Sequence, residues 1–421
     1  MDSTLPSAKP KGPFRNVQKT GVIYVMSEAA KAGYGEAATG WVNLGQGQPE
    51  TGFFDGGKER LASVDLDIAD LEYAPVGGLE SLRAAVAAYY NRVYRQGKKS
   101  QYSAANVSIA PGGRAALTRA AATIGKVNLG HFLPDYTAYE ELLDVFGEFT
   151  SIPILLDPKE GYRFSASDLR REIEGRGVSA ILLSNPCNPT GKVVAGEDLA
   201  DWLSVARELT CGMIFDEFYS MYIWDERYRD QGSVSAAQYV EDVNAEQVLL
   251  INGLTKNWRY PGLRIAWAVG PESLIDAMNS AGSFLDGGAS RPLQKAAVEL
   301  LKPEVYEAEA KALKREFAAK RELLTKGLRD LGVKFDVLPQ GTFYAWGNIE
   351  NFPADANTGM TFFRKALAEK IITVPGEFFD VDPGHRRSGR PSRFRHYVRF
   401  SFGAPRQSLE LGLERMAKLL G

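Results

Sequence analysis

Short apolar runs alternate with longer amphipathic stretches from Tyr73 to about Leu301. NVSIAPGG (106–113), FTSIPILL (149–156), VSAILLSN (178–185), CGMIF (211–215) and QVLLING (247–253) carry Val, Ile and Leu up to turn-forming borders, and each predicts a strand. Between them, LESLRAAVAAYYNRVYRQ (79–96) and GEDLADWLSVAREL (196–209) repeat apolar residues at spacings of three and four, which predicts helices. Strands that are apolar throughout, separated by helices, imply a mostly parallel sheet covered on both faces.

The pattern changes after Leu301. A helical stretch rich in Glu, Lys and Ala runs from Pro303 to Gly332, as suits a solvated helix joining two units. VKFDVLP, TFYAWGNI, a helix around TFFRKALAEK and YVRFSFG follow, an α+β segment of different character. The expected fold is α/β. A large domain over 56–300 holds the mostly parallel sheet, and a smaller α+β domain covers 301–421. Residues 1–55 are expected to supply an N-terminal arm, about fifteen residues long, and the start of the small domain. The basic stretch GHRRSGRPSRFRH (384–396) reads as a solvated loop.

At 421 residues the chain is long for one core, which agrees with two domains. A formal net charge of −2 and a pI near 6.1 give no bulk attraction to nucleic acid or membranes. No apolar run approaches a membrane span, and the polar start lacks the apolar core of a signal peptide. Cys187 and Cys211 are too few for a disulfide framework and suit a reducing cytoplasm. His131, His385 and His396 lie far apart without metal-ligand spacing, so no metal is expected.

Ligands of open parallel sheets bind beyond the carboxyl ends of the strands, and polar residues gather at those predicted ends. PGGRAAL (111–117) turns two glycines into a helix N-terminus suited to an anion such as phosphate. NPCNPTG presents Asn188, DEFY presents Asp216 with Tyr219 three residues on, and LTK presents Lys256. Singly, each has an ordinary explanation: a Gly-Gly turn, an Asn-Pro turn, a capping Asp, a surface lysine. Together they offer one crevice an anion cradle, an amide, a carboxylate and an amine. Pyridoxal 5'-phosphate requires those groups. Lys256 would condense with its aldehyde, and Asp216 would keep the pyridine nitrogen protonated. Asn188 and Tyr219 would bond the ring hydroxyl and tune the imine. Arg264 would take the phosphate through two parallel hydrogen bonds.

These motifs resemble those of the class I/II aminotransferases, pyridoxal-phosphate enzymes of the aspartate aminotransferase fold, in order from about Val42 to the C-terminus. NPCNPTG, DEFY and TKNWRYPGLR carry the most specific part of the likeness. By that resemblance VNLGQGQPE (42–50) brings Gly45 or Gly47 toward the substrate carboxylate, with Asn188 also meeting substrate. YAPVGGLESLR (73–83) makes Tyr73 reach the phosphate in a partner subunit. Gly113 and Arg114 would hold the phosphate by backbone amides, and PDYTAY (134–139) would put Tyr136 on the pyridine face. YVRFSFG would make Arg399 the clamp for the substrate α-carboxylate. A core tyrosine and an edge-strand arginine are the structural alternatives for Tyr136 and Arg399. The family usually has a phosphate-binding serine where Gly253 stands, so Thr255 would supply the hydroxyl. Cys187 reads as packing.

The resemblance implies a transaminase for an L-amino acid and a 2-oxo acid, with Lys256, Asp216 and Tyr219 catalytic. It also implies a homodimer with active sites at the interface. A pyridoxal-phosphate lyase, cyclase or oxidase on the same scaffold is the alternative. A non-catalytic effector domain of a transcription regulator fits poorly with the short stretch ahead of the motifs and the slight acidity. Tyr344 and Trp346 in GTFYAW, with Tyr136, suit either an apolar substrate pocket or the small domain's core.

Overall fold

A computed structural model of the chain describes residues 17, 19, 21–35, 39–228, 232–387 and 389–421. The expected N-terminal arm lies outside them. The strands are β1 Val42–Asn43, β2 Val107–Ala110, β3 Asn128–Leu133, β4 Thr150–Leu155, β5 Val178–Ser184, β6 Gly212–Asp216, β7 Val248–Gly253, β8 Ala266–Val269, β9 Tyr344–Asn348, β10 Ile371–Ile372, β11 Val374–Pro375 and β12 Tyr397–Ser401. The helices are α1 Gly21–Lys31, α2 Glu80–Tyr94, α3 Gly113–Thr123, α4 Tyr139–Val145, α5 Ala166–Arg176, α6 Glu197–Glu208, α7 Glu272–Leu285, α8 Arg291–Leu300, α9 Pro303–Asp330, α10 Gly359–Ala368 and α11 Arg406–Leu420.

The described residues form a seven-stranded sheet in the order β2-β8-β7-β6-β5-β3-β4. β8 runs antiparallel to both neighbours, while the pairs among β3 to β7 are parallel. Every residue of β2, β7 and β8 is buried, as strands covered on both faces must be. Five of the strands match the predicted runs. β3 was not legible because Gly130 and His131 interrupt its apolar run, and β8 because it follows closely on the cationic TKNWRYPGLR turn.

A separate antiparallel sheet has the order β11-β12-β9, and β1 pairs with β10 in parallel, Val42 opposite Ile371. The chain near position 42 is thereby tied to the C-terminal segment. VKFDVLP contributes only an isolated bridge between Lys334 and Asn348. α9 differs from a merely solvated connector: Tyr306, Leu313, Phe317, Leu324 and Leu328 are buried along it. The same helix buries Glu309, which accepts from Arg259 Nε at 2.6 Å and Arg60 Nη1 at 3.1 Å, and Lys320, which pairs with Glu50.

Register decides what meets at the sheet's edge. Ser184 lies opposite Asp216, and Gly253 opposite Ala266, which is itself opposite Ala110. Because β8 is antiparallel, its first residue stands at the same edge as the last residues of β5, β6 and β7. That brings Arg264, two residues ahead of β8, beside the glycines that follow β2.

Candidate active site

A cavity of about 1010 Å³ opens beyond this edge. Gly47, Gly113, Arg114, Tyr136, Asn188, Asp216, Tyr219, Thr255, Lys256, Arg264 and Arg399 all line it. Tyr73 does not; it is 96% exposed on a segment outside the cavity. Of the two glycines left open by the sequence, Gly47 faces the cavity. A Cβ on Gly45 would instead meet Ile372 and the Thr373 backbone at 3.2 Å.

Lys256 follows β7, and its Nζ donates to the Gly47 carbonyl oxygen. Burial pushes the amine down to about 7, helped by the charges of Arg399, Arg114 and Arg264 and opposed by Asp216. Near neutrality, much of it therefore carries a free lone pair. Asp216 ends β6, where its carboxylate accepts from Tyr139 Oη at 3.1 Å. Burial pushes this carboxyl up to about 6, against the hydrogen bonds from Tyr139 and the Phe218 amide and the charge of Lys256. Tyr219 and Tyr344 share a hydroxyl–hydroxyl hydrogen bond of 2.8 Å. Burial holds the Tyr219 phenol well above its ordinary value, so it stays protonated.

The opposite end could hold an anion. α3 begins after Gly112 with no side chain capping it, which leaves first-turn N–H groups available. Gly112 has φ +101°, and a Cβ there would sit 2.0 Å from Arg264 Nη2. The glycine lets the guanidinium lie against the backbone. Gly253 has a separate reason to be glycine: a Cβ would lie 2.6 Å from Ala266 Cα and 2.7 Å from the Ile265 oxygen. The close β7–β8 contact leaves no room for the serine that the resemblance suggests, whereas Thr255 lines the cavity.

Arg399 sits in β12, the middle strand of its sheet, so the edge-strand explanation fails. It is fully buried; Nη1 donates to Asn188 Oδ1 at 2.9 Å and Nη2 to the Gly45 oxygen at 2.6 Å. Its guanidinium lies 4.0 Å from the Tyr344 ring centroid, and Nε has no hydrogen-bond partner among the described residues. Tyr136 is half-buried on the cavity wall, edge-on to Tyr139. Tyr344 lines the cavity. Trp346 belongs to the core instead, stacked on Tyr397 at 5.0 Å and donating to Tyr162 Oη. Cys187 is buried with Sγ 3.8 Å from the Pro134 oxygen, a packing position. Among the described residues of 384–396, none lines the cavity; Arg387 there pairs with Asp380 and Asp382.

Sequence reasoning missed Tyr139, Ser184 and Asp135. Tyr139 closes the PDYTAY stretch and Ser184 ends a predicted strand, so both carried a positional signal. Asp135 lies in the same PDYTAY stretch, where its type alone assigned it no role.

Residues 39–415 match the sequence profile of the class I and II aminotransferases. The chain belongs to that family. This aminotransferase is 28% identical over 390 residues to a probable N-succinyldiaminopimelate aminotransferase of Mycobacterium tuberculosis, covering 90% of this chain and 92% of the relative. It is also 28% identical to a valine–pyruvate aminotransferase of the same species, covering 90% and 91%. Its fold is shared with aspartate aminotransferase from Thermus thermophilus solved with maleate: TM-score 0.78, 23% identity, 97% of this chain and 100% of that one. The aminotransferase is thus an enzyme that transfers amino groups, on an α/β scaffold with a mostly parallel central sheet.

Proposed function

We propose that this aminotransferase binds pyridoxal 5'-phosphate in the cavity and moves an amino group between an L-amino acid and a 2-oxo acid. The observation that carries this reading is the amine of Lys256, lowered to about 7, in one cavity with the buried carboxylate of Asp216 and the uncapped N-terminus of α3. The donor set fits the cofactor. Amides of Gly113 and Arg114, the Arg264 guanidinium and the Thr255 hydroxyl suit the phosphate. Asp216 suits the ring nitrogen, Asn188 and Tyr219 the ring hydroxyl, and Tyr136 the ring face. When bound, the cofactor supplies an electron sink that stabilises negative charge at the substrate α-carbon.

The chain's own groups do the rest. Arg399, with its unpartnered Nε, takes the substrate carboxylate beside Gly47 and Asn188. Lys256 accepts the α-proton as a free amine and returns it as an ammonium, work suited to a value close to neutrality. Asp216 holds a proton on the ring nitrogen.

Partner and compartment follow the same reading. Tyr73 reaches the phosphate bound by a second copy, in a homodimer. Both cysteines are free and buried, as suits a cytoplasmic protein. The division into 1–55, 56–300 and 301–421 agrees with the origin of the sheets: the seven-stranded sheet draws on 107–269, and the three-stranded one on 344–401. No observation favours a lyase, cyclase or oxidase outcome.

The test is the absorption spectrum with pyridoxal phosphate, then with single L-amino acids. A visible band that an amino acid bleaches and a 2-oxo acid restores is expected. Lys256→Ala is expected to lose that band and to transfer amino groups at least about 10²–10⁴-fold more slowly. Bleaching without recovery, or brisk transfer by Lys256→Ala, would sink the proposal.

A further inference from the structure

Behind the cavity floor lies a carboxylate that the steps above leave unused. Asp135 is fully buried, and no basic side chain among the described residues pairs with it. Its Oδ1 accepts from Ser184 Oγ at 2.5 Å and from the Tyr136 backbone N–H at 2.7 Å, while Oδ2 faces the Ser184 N–H at 3.4 Å. Ser184 Oγ in turn accepts from the Asn188 N–H at 3.0 Å, and Asn188 Oδ1 accepts from Arg399 Nη1 at 2.9 Å. One carboxylate therefore joins the loop bearing Tyr136, the end of β5 and the turn bearing Asn188. Tyr136, Ser184, Asn188 and Arg399 all line the cavity.

Burying a carboxylate without a cation is costly. Burial pushes this one up to about 8, and the nearby charge of Asp216 adds to the rise. The other titratable groups facing it are Tyr139 on α4 and the Cys187 thiol in the Asn188 turn. What the group offers in return is geometry: a single oxygen accepts from Ser184 Oγ and from the Tyr136 N–H at once, fixing two segments relative to each other.

We propose that Asp135 is a positioning residue for the cofactor, a role that rests on the cofactor reading above. Acting through Ser184 on Asn188, and directly on the Tyr136 amide, it sets where the ring-hydroxyl partner and the ring-face aromatic stand. It thereby governs how tightly pyridoxal phosphate is held.

Equilibrium binding of pyridoxal phosphate to cofactor-free protein tests this, alongside thermal unfolding of the same cofactor-free samples. Asp135→Ala and Ser184→Ala are each expected to weaken binding about tenfold. The double substitution is expected to weaken it no further than the worse single one, because the two groups act along one path. Asp135→Asn keeps an oxygen for both donors and is expected to stay within about threefold of the unsubstituted protein. A packing role alone would lower Tm and leave affinity unmoved. Binding by Asp135→Ala and Ser184→Ala within about twofold of the unsubstituted protein, or effects that add in the double variant, overturns the proposal. If Asp135→Ala does not fold, Ser184→Ala decides alone: tenfold weakening supports the role and unchanged affinity overturns it. An unsubstituted protein that binds no pyridoxal phosphate fails the cofactor reading instead.

Discussion

A lysine lowered to about 7 reacts differently from a solvated one, whose amine stays charged up to its ordinary value of 10.5. Condensation with an aldehyde needs the unprotonated amine. Below pH 7 the free fraction grows about tenfold per pH unit, and above it the fraction levels off. The rate at which cofactor-free protein captures pyridoxal phosphate should therefore rise to about pH 7 and then flatten. Arg399 contributes most among the charges that depress the amine, so Arg399→Gln should move the bend to higher pH. Stopped-flow capture rates across pH 5–10 would check both; a rise continuing to pH 10 would mean that Lys256 is not the depressed amine. Lys256 and Asp216 were legible because each stands at the end of an apolar run in a specific motif. Tyr139 lay in a quoted motif without an assigned role, because its bond to Asp216 joins residues 77 positions apart.

Between elements, one tight constraint is the β7–β8 contact at Gly253, where a Cβ would meet backbone at 2.6 Å. Introducing a side chain there forces the strands apart, and overpacking of this kind costs about 1–3 kcal/mol. Gly253→Ser should lower the urea midpoint of unfolding by a corresponding amount, even though it restores the residue common in the family. An unchanged midpoint would show that the strands give way. The five long apolar runs were readable as strands because strands covered on both faces carry little besides apolar residues. β3 escaped because Gly130 and His131 break its run, and β8 because its AWAV is joined to the cationic turn that precedes it. The burial of α9 escaped too, since its Glu- and Lys-rich composition conceals Glu309 and Lys320, which are paired inside.

On the scale of the whole molecule, one surface segment stands out. Leu66, Ile68, Leu71 and Tyr73 are 65%, 87%, 79% and 96% exposed within a single short stretch. Clustered apolar exposure of this kind marks an interaction site, and the homodimer proposed above would cover it. Ile68→Asp should halve the mass seen in sedimentation and weaken pyridoxal phosphate binding, because Tyr73 would no longer reach the partner's phosphate site. A monomeric unsubstituted protein at micromolar concentration would remove the dimer and the Tyr73 role together.

The one-dimensional pattern determined the sheet class and the strand-end positions of Asn188, Asp216 and Lys256, because burial periodicity and turn chemistry are local properties of a chain, and its motifs carried the likeness to the family. Tertiary structure alone decided the rest. The antiparallel insertion of β8 set Arg264 against Gly112, and the middle position of β12 made Arg399 a buried group. Burial of Lys256, with three arginines near it, lowered its amine. Asp135 became the hub of a network that ends at Arg399. Each of these depends on strand order, register and desolvation by residues distant in sequence, which no local run of letters encodes.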